Sequence, residues 1–379
     1  MKKIFNYPLI ILFSVFIGVF TLFDMFVPER AFSEIENRYL ATKPKATVKT
    51  VFDNSFSKKY ETYINDQFVL RDGWINIKSL SEISLGKIQN NAITYGKDNY
   101  MFEVLENFDE KKLARNSGFV KDFVEKYQDK NITLSIVPTS YMVLDDKLPL
   151  GILKANQLDY INSLYNTLEK SDNIQCINMA KTLSEHKNEY IYYRTDHHWT
   201  TLGAYYGYLE FAKEKGFTPV EIAELKSISV PNFMGTYFNK AKLFTAKPDT
   251  ITYYDIPVEH FEFEDSNSKD SMYDYSKFET RDKYAAFMHG NNGITYIKSA
   301  NNLNKTQGET SRLLIIKDSY ANSFIPYLTF NYDEIFVVDL RGLPVPISEL
   351  EEKYNFDDIM VMYNFVSFMN DNNFSRLLK

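Results

Sequence analysis

Apolar and polar positions divide the chain into stretches of different character. From Tyr7 to Phe23 the residues are almost all apolar, and past Asp24 the run continues through Met25, Phe26 and Val27 to Pro28. A run of that length is what a membrane-spanning segment requires. From Glu29 to about Asn90 the pattern is polar with scattered aromatics (Phe52, Phe56, Tyr60, Tyr63, Phe68). It predicts short helices that pack on a later core. Beyond this, Val120, Phe123, Val124 and Tyr127 recur at helical spacing, and Ile132 to Val137 reads as a buried strand. Leu158, Ile161, Tyr165 and Leu168 repeat the helical spacing before a strand at Ile174 to Ile177. Near the C-terminus come a strand at Leu313 to Ile316, a helix from about Tyr320 to Leu328, and strands at Ile335 to Val338 and Ile359 to Tyr363. Strands alternating with helices at these intervals predict an α/β fold, a parallel sheet flanked by helices. The stretch 219–284 has weak periodicity and many Tyr, Phe, Asp and Lys residues, which marks it as an insertion or lid. The implied organisation is 1–28, a cytoplasmic end and signal-anchor helix; 29–90, an N-terminal helical region; and 91–379, a catalytic domain.

Charge bears on topology and partners. Lys2 and Lys3 precede the apolar run and no small-x-small cleavage site follows it, so the expectation is an uncleaved single-pass anchor in the cell membrane with the domain extracytoplasmic. A net charge of -7 and the lack of a basic stripe argue against a nucleic-acid partner, which would need clustered Lys and Arg. Cys176 is the single cysteine, so no intrachain disulfide can form, and its apolar flanks suit a core thiol better than a nucleophile.

Two stretches carry chemistry. One is Tyr192-Tyr193-Arg194-Thr195-Asp196-His197-His198-Trp199-Thr200; the other is Ile315-Ile316-Lys317-Asp318-Ser319-Tyr320-Ala321-Asn322-Ser323-Phe324. A serine between a strand end and a following helix is exposed by the turn and faces backbone N–H groups suited to an oxyanion. A plain helix N-cap would put a serine in the same place. Serine acyl transfer also needs a base and an acid to orient it. Of the chain's five histidines, His186 lies in a charged run and His260 in the irregular stretch. Asp196 and His198, two apart, project to one side of an extended segment and can converge, while His197 points away.

Arg194-Thr195-Asp196-His197-His198-Trp199, followed by Asp318-Ser319-Tyr320, resembles the DHHW branch of the alginate O-acetyltransferase family, a permuted relative of SGNH hydrolases. Phe32-Ser33-Glu34-Ile35-Glu36-Asn37-Arg38 with Leu40, Ala41 and Pro44 resembles that family's N-terminal motif. Tyr95-Gly96-Lys97-Asp98-Asn99-Tyr100-Met101-Phe102 resembles its Gly-x-Asp-Gly-x-Leu-Phe element, with Asn99 at the usual glycine. The resemblance implies a permuted SGNH-like fold and a triad of Asp196, His198 and Ser319. It also implies acetyl-Ser319 as intermediate, the hydroxyl of a cell-surface or exopolysaccharide as acceptor, a membrane-embedded acyltransferase as acetyl donor, and no cofactor.

Oxyanion and substrate candidates are the Ser319 N–H, Gly290 and Asn291 in His289-Gly290-Asn291-Asn292-Gly293, and Tyr320 and Asn322 beside the serine. Arg341 follows the strand ending near Leu340, at the end where parallel sheets bind ligands. The glycines equally suit a plain turn and Arg341 a structural ion pair. A metal site at Asp196, His197 and His198 is a rival, weakened because adjacent histidines on an extended chain point apart. A polysaccharide O-acetyl esterase would use the same triad with water attacking, and a non-catalytic polysaccharide-binding scaffold would need none of it.

Overall fold

The computed structural model describes residues 7–33, 38–243, 245–263 and 268–379. Lys2, Lys3 and the centre of the N-terminal motif, Glu34 to Asn37, lie outside the described residues. The chain divides into two compact units: residues 1–90 with 239–245, and residues 91–238 with 246–379.

In the first unit the apolar run forms helix α1, Pro8–Phe26. The expectation of a membrane-spanning helix is corrected here. Among the described residues no helix is long and apolar enough to cross a membrane. Phe16 and Phe20 meet the Trp74 ring edge-on, and Phe20 stacks on Phe68. Behind α1, the buried Asp66 carboxylate accepts two hydrogen bonds from the Arg38 guanidinium and one from the Ala41 N–H.

The second unit is α/β, built on a seven-stranded sheet. Its strands, in chain order, are β1 (Asn131–Val137), β2 (Ile174–Cys176), β3 (Val258–Phe263), β4 (Ile294–Ser299), β5 (Arg312–Lys317), β6 (Glu334–Val338) and β7 (Asp358–Asn364). The spatial order is β3-β4-β6-β5-β7-β1-β2. The five strands from β6 to β2 are parallel, and β4 and β3 extend them antiparallel. Strand β5 lies at the centre, and side-chain alternation sorts its residues to two faces. Leu313 and Ile315 join one core with Tyr205, Tyr208 and Phe211 of helix α4 (Thr201–Lys215). Leu314 and Ile316 join the other, with Leu113, Val120 and Phe123 of α2 (Glu110–Lys126) and Ile161 and Tyr165 of α3 (Gln157–Leu168). Burial on both faces is why this strand reads as an unbroken apolar run.

The helix expected from Tyr320 to Leu328 is split into a five-residue 3-10 turn, Ser319–Ser323, and a short α-turn, Ile325–Leu328. Pro326, which has no N–H to give, sits in that second turn. The 219–284 stretch is not uniform. It holds an antiparallel pair, Ser227–Phe233 with Asp249–Tyr254, and it supplies β3 to the edge of the sheet.

Candidate active site

Strand β5 ends at Lys317, and Ser319 follows at the carboxyl edge of the parallel sheet, where open α/β sheets place ligands. Asp318 fixes the turn: its carboxylate accepts from the Tyr320 N–H at 3.0 Å and from the Asn364 N–H of neighbouring β7 at 3.0 Å. Ser319 stays half-buried above it. A turn this short has almost no macrodipole, so individual N–H groups, rather than a helix end, are the available oxyanion donors.

The loop carrying Asp196 and His198 docks onto this turn from 121 residues earlier in the chain. The Trp199 indole donates to the Tyr320 carbonyl at 2.9 Å, and the Tyr320 hydroxyl donates back to the His197 carbonyl. Asp196 Oδ1 lies 2.6 Å from His198 Nδ1, and His198 Nε2 lies 2.8 Å from Ser319 Oγ. A carboxylate only accepts, so His198 carries its proton on Nδ1 and presents a bare Nε2 to the serine hydroxyl. The remaining histidines are engaged elsewhere: His186 with Glu189, His260 with Glu262, His289 with the Ser271 carbonyl.

Charge divides between the neighbouring imidazoles. Burial, followed by the charge of His197, pushes His198 down to about 4 against the upward pull of Asp196. Burial also disfavours the charged form of His197, yet the Asp196 carboxylate outweighs it and raises that group. The His197 side chain is 36% exposed, so it keeps some hydration. Burial alone would raise Asp196, which is 2% exposed, but the two histidines hold it well below the usual carboxylate range.

Asp196, His197 and His198 place one ligand atom each within 4.8 Å of one another. Both His198 nitrogens are already committed, however, and His197 Nδ1 faces Thr236 Oγ1 at 2.8 Å. A metal would have to displace the bond to Ser319.

Several braces come from the stretch whose sequence carried no periodic signal. Asp196 Oδ2 accepts from the Thr236 N–H at 2.8 Å. A Cβ at neighbouring Gly235 would collide with the Asp196 side chain, so that close approach requires glycine. Buried Asp249 accepts from the Arg194 N–H (2.9 Å), the Thr195 N–H (2.8 Å), Thr195 Oγ1 (2.6 Å) and the Tyr190 hydroxyl. The Tyr284 ring stacks on His198 at 3.7 Å, and its hydroxyl donates to the Ser319 carbonyl at 3.0 Å.

The other candidates form a second group beside the serine. Asn322 Nδ2 donates to the Gly290 carbonyl at 3.3 Å and to Asn291 Oδ1 at 3.1 Å. Tyr320 is buried beneath the triad. Arg341 holds Asp339 through two side-chain hydrogen bonds, so it is placed in an ion pair. Lys317, not among the expected site residues, links Asn291, Asn322 and Asp339.

Residues 118–338, more than half of the 379-residue chain, match the family model described as DHHW protein. No curated protein matches. Among solved structures, a DHHW family protein from Eubacterium siraeum is similar at 25% identity with a TM-score of 0.65, over 76% of this chain and 96% of that one. Bacillus cereus PatB1, solved with a sulfonyl adduct, shares the fold at 16% identity and a TM-score of 0.59, over 74% of this chain and 96% of that one.

Three outcomes follow from this geometry. With His198 pushed down to about 4, the neutral base persists through the mildly acidic range. The kcat/KM of acetyl-ester cleavage should therefore stay flat down to about pH 5 and fall only as protonation sets in near pH 4. An acidic limb centred at pH 6.5 to 7 would contradict the charge division. Gly235→Ala should push Asp196 out of line and lower kcat by about 10- to 100-fold. Asp249→Ala, which strands two backbone donors, should cost about 1–3 kcal/mol for each in thermal or urea unfolding.

Proposed function

The chain belongs to the DHHW family, and from that premise we propose that it is a serine acyltransferase that moves acetyl groups onto hydroxyls of a cell-surface or exopolysaccharide. The observation that supports this most directly is the unbroken line Asp196 Oδ1–His198 Nδ1 (2.6 Å) and His198 Nε2–Ser319 Oγ (2.8 Å). An N-cap serine has no need of a buried, neutral imidazole aligned on its hydroxyl.

Ser319 Oγ attacks the acetyl carbonyl while its proton passes to His198 Nε2. Negative charge builds on the carbonyl oxygen, and the Ser319 N–H and the Asn291 amide are the donors proposed to receive it. His198 returns the proton to the departing oxygen, leaving acetyl-Ser319. The acceptor hydroxyl then enters, loses its proton to His198, attacks the ester carbon and releases Ser319. Asp196 stays ionised throughout, holding the tautomer and stabilising the imidazolium.

A membrane-embedded acyltransferase is the proposed acetyl donor, with the catalytic unit outside the cytoplasm. Protease added to intact cells should digest the catalytic unit, and protection would refute this placement.

The chemistry is tested with a sulfonyl fluoride, which loses fluoride to an activated serine. One sulfonyl group should appear on Ser319, and Ser319→Ala should abolish it. Turnover of an acetyl ester should fall by roughly 10³- to 10⁶-fold in Ser319→Ala and His198→Ala, and by less than about 10-fold in His197→Ala. Equal losses at the two histidines would sink the assignment of the base. Supplying oligosaccharide to the acetyl-enzyme separates transfer from hydrolysis, since release of acetate alone would make the chain an esterase.

A further inference from the structure

Strand β5 runs Leu313-Leu314-Ile315-Ile316 and then ends in a lysine that is as buried as they are. Lys317 is 1% exposed, and the relay from Asp196 to Ser319 makes no use of it. Burying an ammonium carries a large desolvation cost unless good partners surround it. Its partners are two amide oxygens and one carboxylate: Asn322 Oδ1 at 2.7 Å, Asn291 Oδ1 at 3.0 Å and Asp339 Oδ2 at 3.8 Å. Asp339 is itself held by Arg341, whose side chain is half exposed. The remaining acid nearby, Asp318, is turned toward the backbone of Tyr320 and Asn364. The shortest contacts of the ammonium are therefore with the two amide oxygens, while Asp339 and Asp318 balance its charge from farther off.

Each amide has two ends that a packing environment alone distinguishes poorly. A cation distinguishes them strongly, because a flipped Asn291 would set its NH₂ group against the ammonium. The Asn322 amide, oriented in the same way, turns its own NH₂ to Asn291 Oδ1 and to the Gly290 carbonyl, stapling the Gly290–Asn291 turn to the Ser319–Ser323 turn. Asn291 Oδ1 thus receives two donors, which fixes which way its amide is turned. His289 and Gly290 both hold positive φ, so the turn's backbone is set by its own conformation and its amide by Lys317.

We propose that Lys317 is a positioning residue: its buried ammonium clamps the amide oxygens of Asn291 and Asn322 and so holds Asn291 Nδ2 in place to receive the oxyanion of the acyl intermediate. This rests on the Ser319 acyl-transfer reading above. Burial, opposed by Asp339 and Asp318 and aided by Arg341, pushes the lysine down to about 8, so the clamp loses its charge as pH rises past that range.

The test is acetyl-ester kinetics on the full chain with Lys317→Met, Asn291→Ala and the double variant. Loss of one oxyanion donor costs about 10²- to 10³-fold in kcat. Each single variant should show a loss of that order with KM within about threefold, and the double should be no worse than the poorer single. A merely structural lysine would give losses that multiply. Multiplying losses, or Lys317→Met within about threefold of wild type in kcat, overturns the proposal. Should Lys317→Met fail to fold, the wild-type pH profile decides: kcat should fall above about pH 8, and Asn291→Ala should lose that fall. A wild-type kcat that stays flat to about pH 10 overturns the clamp. Failure of the underlying reading looks different, because wild-type protein would then take no sulfonyl label at Ser319 and Ser319→Ala would keep its turnover.

Discussion

One hydrogen bond, His198 Nε2 to Ser319 Oγ, joins segments 121 residues apart, and most of the local structure exists to keep it at 2.8 Å. Neither segment is regular enough to hold it alone. The serine sits on a five-residue 3-10 turn and the histidine on a loop. What fixes the distance is a pair of reciprocal ties. The Trp199 indole reaches the Tyr320 carbonyl, and the Tyr320 hydroxyl reaches back to the His197 carbonyl. Trp199 is seated in turn by helix α4, where Gly207 leaves the room its ring occupies; a Cβ there would lie 3.0 Å from that ring. The tryptophan of the motif is thus a spacer between the His198 and Ser319 segments, and replacing it would alter their separation before it altered the core.

The central sheet was legible because both faces of β5 are buried, giving a run no polar residue interrupts, and because α2 and α3 follow helical spacing closely. The alignment of Asp196, His198 and Ser319 has a different origin. Asp196 and His198 do come together, but on a run of bends closed by the Tyr193 N–H to His198 carbonyl bond, where the His197 ring also lies against His198, so the two-residue spacing of an extended segment is not what joins them. What the sequence hid were contacts with no period and long separation: Asp249 under the Arg194–Thr195 backbone, Thr236 on Asp196, Tyr284 on His198. All three lie in 219–284, whose side chains are chosen to meet the loop and not to line a helix. Gly235 carried a faint signal, as a lone glycine before a threonine, but nothing local says what approaches it. The apolar pattern also misled once, since the run around Tyr7 to Val27 reads as a membrane span while no helix among the described residues is long and apolar enough to cross one.

Electrostatics explains why the motif carries two histidines. A buried Asp–His pair can share a proton in ways that leave the base charged and useless. Here Asp196 faces two imidazoles, and its carboxylate raises the one with access to water. His198, stacked under Tyr284 and screened from solvent, is left neutral with its acceptor nitrogen aimed at the serine. The same arrangement suits the transition state. When His198 does accept the serine proton, the ionised Asp196 is already in place at 2.6 Å and no solvent need reorganise.

The far side of the serine follows the same logic with the sign reversed. Negative charge that forms on an acyl oxygen needs donors that are already pointed at it, and side-chain amides supply such donors only if something stops them from turning. Around Ser319 the fold places a cation behind the amides instead of a ring of competing hydrogen bonds in front of them. Lys317 sits two residues before the nucleophile on the same strand end, so any shift of that strand carries both together. Asp339, just past the end of neighbouring β6, tempers the cost of burying the charge, against the repulsion of Arg341. The base and the donors are therefore each oriented by a buried ion, carboxylate on one side and ammonium on the other. Between them, Ser319 is reachable from outside while the groups that aim at it are not free to move.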